Sequence, residues 1–439
     1  MARATEDSPG TGTLLTPATS IPNQQATGRQ AAGFFRGFDS LRVSQFRWFW
    51  IASVFTFFAM PMDMLARGWL VYDLTGSGVK LGLVALGGGL PMLVIAPFAG
   101  VLADRLPKRN LVIVSQALAT LVMLALAVLI ATGTVRFSHL MVTSFLSGTA
   151  FAFMMPARQS LVSELVERPQ MMNAIALGMG AMNLTRIVAP AIAGILVALV
   201  GVAGVYFVIV AMLAAGAATL FLLPRDTRRR APGAPVQRPQ SMQADMLEGF
   251  RYVRRTPVLM TLITLAIVPV LFGMPHQMLM PIFAKDVFKV GPQGLGYLLS
   301  ASGVGAILGS FLIASLGDFR HKGWLLIGAG SAFGIGLILF ALTTNFALAI
   351  LWMGVVGLTS TGYMSMNNST MQMYAADAMR GRVVSTLMMT WGLVPLGALA
   401  MGALAHVSGA PLAVAAGGAV VVGVIVLMAV FKPALRRLT

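Results

Sequence analysis

Twelve stretches of this chain are apolar over the roughly 20 residues a helix needs to cross a bilayer. They are 48–72, 79–103, 111–133, 138–157, 173–199 and 202–223, then 258–283, 293–317, 323–343, 346–368, 384–407 and 411–431. Hydrocarbon offers backbone groups no hydrogen-bond partner, so stretches of this length must fold as helices. A gap-free shift of 214 residues lays part of the second six on the first. Leu81 falls on Leu295, Gly82 on Gly296, Gly89 on Gly303, Leu102 on Leu316, Asp104 on Asp318 and Lys108 on Lys322. Phe58, Met60, Pro61, Met64 and Leu65 fall likewise on Phe272, Met274, Pro275, Met278 and Leu279. A repeat of near half-length predicts an all-α membrane protein of two alike six-helix bundles, with a site between them.

Charge agrees with that reading. Only 10% of the residues are charged, against about 25% in a soluble protein. The net charge of +17 would suggest nucleic acid in a soluble chain. Here its distribution excludes that partner: with the N-terminus inside, 25 of the 31 Lys and Arg fall on the inner side and 4 on the outer. Both termini are therefore expected in the cytoplasm, and the lipid bilayer is the partner. Cysteine is absent, which removes disulfides and thiolate metal sites. The sequence holds no GxxxxGK[ST], HExxH or GxSxG, so neither an enzyme nor a cofactor is expected, and no metal site.

Residues 1–33 read as a disordered cytoplasmic tail, and 34–47 as an amphipathic helix on the inner leaflet. The first bundle occupies 48–223, a basic cytoplasmic linker 224–257, the second bundle 258–431 and a short tail 432–439. Glycine is concentrated in the second, fifth, eighth and eleventh runs, as at Gly89, Gly194, Gly303 and Gly397. Small residues let helices approach closely in lipid, so these four should form the contact between bundles.

Of 14 acidic residues, only Asp63 lies deep within a run. Arg67 follows one turn later, and Arg186 lies at similar depth in the fifth run. An ionisable group there is costly and marks either function or a structural ion pair. Asp63 and Arg186 are expected to meet near mid-membrane. His276, in the seventh run beside Pro275, is a second group able to carry protons, or a neutral residue of the cavity wall. Methionines crowd the region where the repeat places the cavity: Met60, Met62, Met64, Met274 and Met278, with Gln277. Their pliable side chains suit varied apolar ligands. Trp69, Tyr363 and Trp391 are candidates to stack a flat substrate, and Asn367 to line water.

The segment Gly100-Val-Leu-Ala-Asp104-Arg105-Leu-Pro-Lys108-Arg109, with a degenerate copy at Gly317-Asp318-Phe-Arg320, resembles the loop signature of the major facilitator superfamily. Trp69-Leu-Val-Tyr-Asp73-Leu-Thr-Gly-Ser77, Pro156-Ala-Arg158-Gln159 and Met379-Arg380-Gly381-Arg382 resemble its multidrug and siderophore exporter branch, which includes the enterobactin exporter. The resemblance implies alternating access, export of small molecules coupled to protons, a bacterial inner membrane and a monomer. Asp104, Arg105, Lys108, Arg109, Asp318, Arg380 and Arg382 become candidates for a latch between the bundles, with Asp104 near the start of the eleventh run. Two other readings stand beside export. One is a facilitator or importer of a polar metabolite, the other a membrane sensor or scaffold that moves nothing.

Overall fold

The computed structural model describes residues 39–224, 242–316, 320–436 and 438. The first bundle is built from α1 (Ser44–Thr75), α2 (Gly78–Arg105), α3 (Lys108–Ala131) and α4 (Phe137–Leu165). A continuous helical stretch, Met171–Phe221, then breaks at Gly201, whose φ of 73° and ψ of 173° are not helical. It therefore makes two membrane helices, α5 (171–200) and α6 (202–221). After a connector helix, Met242–Arg255, come α7 (Pro257–Val287), α8 (Gly291–Leu316), α9 (Lys322–Leu342), α10 (Phe346–Tyr374), α11 (Arg380–Ser408) and α12 (Ala410–Phe431). Among the described residues, twelve helices long and apolar enough to span, counting the two on either side of Gly201, match the twelve runs.

Two boundaries differ from the sequence reading. Of the segment 34–47, residues 34–38 lie outside the described residues. Asp39–Arg42 is a single 3-10 turn, and Ser44 already begins α1. Phe46 and Phe49 are buried in a core with Val112 and Leu220, so this stretch packs on protein instead of lying on lipid. The fourth helix also outruns its predicted end at 157: Pro156 sits inside α4 without stopping it. Arg158, counted with the inner-side loop cations, is consequently buried within the bundle.

Proline shapes α7 most strongly. Pro269, Pro275 and Pro281 lack the amide hydrogen that an α-helix needs, and two single-turn π-helices flank the break, at Pro269–Gly273 and Phe283–Val287. In them the amides of Met274 and Phe288 donate five residues back, to the carbonyls of Pro269 (2.7 Å) and Phe283 (2.8 Å). Such bulges rotate the side chains that follow.

The bundles meet through the four glycine-rich helices. A β-carbon on Gly82 would lie 2.7 Å from Leu399 Cα, and one on Gly296 2.6 Å from the Pro190 carbonyl. Only glycine permits this approach of α2 to α11 and of α5 to α8. Contact runs along the end carrying the 75–78 and 287–291 turns. Toward the other end it lapses: a β-carbon on Gly194 of α5 would stand 2.5 Å from the Pro292 carbonyl of α8, whereas one on Gly178 or Gly180 would meet nothing within 4 Å. The glycine contacts between the bundles thus gather at one end and give out toward the end where α1 begins and α12 ends.

Candidate functional site

Between the bundles lies a chamber of about 280 Å³. Its wall draws on α1, α2, α3, α4 and α6 of the first bundle but only on α7 and α8 of the second. Met60, Met64, Met92, Met123, Met154 and Met278 make it soft and apolar, and Gln277 adds an amide. Met60, Met64, Gln277 and Met278 are thus the expected cavity residues that the fold brings together.

The others lie elsewhere, for identifiable reasons. Met62 is 1% exposed in the core, a consequence of α1 presenting its neighbours to the chamber. Trp69 packs on that core half-buried, and Met274 and Trp391 are also off the chamber wall. Tyr363 and Asn367 face α7: the phenol donates to the Leu265 carbonyl at 2.7 Å and the amide to the Leu262 carbonyl at 3.2 Å. These two side chains of α10 therefore brace a proline-broken helix instead of facing the chamber. His276 is 1% exposed, its Nδ1 2.6 Å from the Gly273 carbonyl and its ring edge-on to Phe333.

One ion pair enters the chamber wall. Arg67 Nη2 and Nε donate to Asp63 at 3.0 and 3.2 Å, and Tyr206 of α6 donates its hydroxyl to the same carboxylate oxygen at 2.8 Å. The far side of the guanidinium is held independently, Nη1 reaching Thr143 Oγ1 at 3.0 Å and the Leu140 carbonyl at 3.4 Å. Asp63 is thus satisfied within the first bundle, and the expected meeting with Arg186 does not occur. Arg186 stands exposed on α5, without an ionic or hydrogen-bonding partner among the described residues. Tyr206 escaped the sequence reading, because a lone tyrosine near a helix end looks like an interfacial residue.

At the closed end, α1 and α7 are clasped across the bundle interface. Tyr72 donates its hydroxyl to Asp286, and Lys285 pairs with Asp73 at 2.5 Å. Tyr72 and Asp286 are 214 residues apart, the repeat interval itself. They are each other's counterparts in the repeat. The second π-helix of α7 carries both Lys285 and Asp286, so the bulge turns two adjacent residues toward one partner helix.

Comparison with known proteins bears directly on this architecture. The profile of the transmembrane secretion effector family matches residues 36–437. The chain belongs to this branch of the major facilitator superfamily. Among characterised relatives it is 28% identical to the multidrug efflux pump Tap of Mycolicibacterium fortuitum, over 79% of this chain and 86% of the pump. It is 24% identical to the staphyloferrin A transporter of Staphylococcus aureus, over 83% and 90% of the respective chains. Its fold matches the crystal structure of the nucleoside transporter NupG with a TM-score of 0.67 at 18% identity, covering 88% of this chain and 99% of that one.

In this major facilitator protein the contacts seen for the latch candidates among the described residues are to their own bundle or to the connector. Lys108 pairs with Glu164 of α4 at 2.8 Å, and buried Arg109 donates to the Phe221 carbonyl at 3.0 Å, capping α6. Arg380 reaches Asp377 at 3.0 Å, while Arg382 binds Glu248 of the connector helix at 2.7 Å. Asp318 lies outside the described residues, as do the side chains of Asp104 and Arg105. The connector helix is the partner that the sequence reading missed. Gly249 fits it closely against α11, where a β-carbon would stand 3.0 Å from the Arg382 carbonyl.

Proposed function

We propose that this transporter exports amphipathic small molecules, drugs or siderophores, by alternating access coupled to protons. The observation that carries the reading is the chamber: a methionine-rich wall shared by two bundles, holding a single ion pair, clasped at one end and parted at the other. The positive-inside rule makes the parted end cytoplasmic in a bacterial inner membrane, so this conformation faces inward, ready to load. The efflux proteins among its relatives support the direction.

Asp63 is the coupling group in this reading. A proton carrier must face the chamber to be reached from either side in turn; Asp63 does, whereas the His276 ring is enclosed. Arg67 keeps Thr143 and the Leu140 carbonyl when Asp63 takes up a proton, so the guanidinium is not stranded. The membrane potential alone supplies ~2.3 kcal/mol per charge per 100 mV, about a fifty-fold gradient.

Inside-out vesicles supplied with a hydrophobic dye test this. Accumulation that an added protonophore abolishes, and that Asp63→Asn abolishes likewise, is the expected result. Equilibration of dye without regard to the gradient would instead mark a facilitator.

A further inference from the structure

Behind the chamber wall lies a cation that neither the ion pair nor the clasp uses. Arg158 of α4 is 4% exposed. Its Nη1 donates to Ser53 Oγ at 2.8 Å, and its Nη2 to Thr56 Oγ1 at 2.8 Å and Gln116 Oε1 at 3.0 Å. Every one of these acceptors is neutral, and Nε is buried without a partner. Among the described residues no carboxylate pairs with Arg158, so its charge is solvated but not cancelled.

The position of that charge matters. Thr56, which receives Nη2, itself lines the chamber, as do Met154, one turn before Arg158, and Leu213, whose carbonyl anchors Gln116 at 3.2 Å. Asp63 and Arg67 neutralise each other, so Arg158 is the uncompensated charge set directly behind the chamber wall; Arg186, likewise unpaired among the described residues, stands exposed on α5. In an apolar bundle such a charge is weakly screened and acts over several ångströms. Unpaired charge in a membrane interior is costly, and its presence points to a ligand that completes it.

Resting on the exporter reading, we propose that Arg158 selects substrates bearing a negatively charged group. That group docks at the Thr56 end of the chamber, about 10 Å along α1 from Asp63. The apolar body of the substrate lies along Met60, Met64 and Met278. Moving one negative charge out of a negative-inside cell is favoured about fifty-fold per 100 mV, so the charge class suits the direction.

Two probes sharing one ring system decide the matter: 8-anilinonaphthalene-1-sulfonate, an anion, and uncharged N-phenyl-1-naphthylamine. Fluorescence titration of the purified protein should show tighter binding of the sulfonate. Arg158→Gln, which keeps a donor but loses the charge, should weaken sulfonate binding at least tenfold and leave the uncharged probe within twofold. Arg158→Lys should retain most of the preference. Equal weakening of both probes would make Arg158 a tie between α1, α3 and α4 only, and would overturn the proposal. Should Arg158→Gln fail to fold, wild-type protein binding both probes equally would overturn it alone. The exporter reading fails separately, if wild-type vesicles move neither probe outward; the charge selection fails if they move both alike.

Discussion

The carboxylate of Asp63 is held by two hydrogen-bond donors that come from different helices, and those donors decide what its removal does. Neutralising it leaves Arg67 with Thr143 and the Leu140 carbonyl but without its counter-charge, and a hydrogen bond to a charged group contributes about 1.5–3 kcal/mol. Asp63→Asn should therefore lower the unfolding temperature in detergent, and Asp63→Asn with Arg67→Gln should recover much of the loss. Dye transport should stay abolished in both. Recovery of transport in the double variant would show that the pair is structural. Asp63 and Arg67 were legible in the sequence because charge is rare in apolar runs. Tyr206 was not, being a common residue, and Arg158 showed only as part of a family motif, one position beyond a run that ends at Ala157. Which way each points depends on the rotation of α4 and α6 about their axes, and pairwise packing sets that.

Among the helices, α7 is the least regular, and its irregularity is placed where the bundles must separate. Its second π-helix aims Lys285 and Asp286 at α1, and the resulting pairs are partly exposed. An exposed ion pair contributes about 0–1 kcal/mol, enough to tilt a conformational equilibrium by up to about fivefold. A clasp of this strength biases the closed end without locking it. Lys285→Ala should raise outward opening by up to that factor. The measurement is labelling of Leu81→Cys, at the chamber wall, by a membrane-impermeant maleimide from the outer side. Unchanged labelling would remove the clasp from the mechanism. The glycines of α2, α5, α8 and α11 were readable as contact surfaces, since close approach in lipid favours small residues. Asn367 was misread as water-lining, because its amide can instead satisfy a carbonyl of a neighbouring helix.

For the molecule as a whole, the exporter reading makes the parted end and the clasped end two halves of one rocking motion. The chain contains no cysteine, so engineered pairs report without background. Joining Asp73→Cys to Lys285→Cys with a short bismaleimide should block dye transport while N-phenyl-1-naphthylamine still reaches the chamber from the inner side. Transport that survives the bridge would exclude rocking about this end. Length, apolarity and the 214-residue repeat are enough to dictate twelve helices in two alike bundles, because a bilayer accepts no other arrangement of such runs. The sequence alone could not choose which polar groups face one another. Each hydrogen bond across helices depends on depth and rotation to within about an ångström, and those emerge only when all twelve helices pack together.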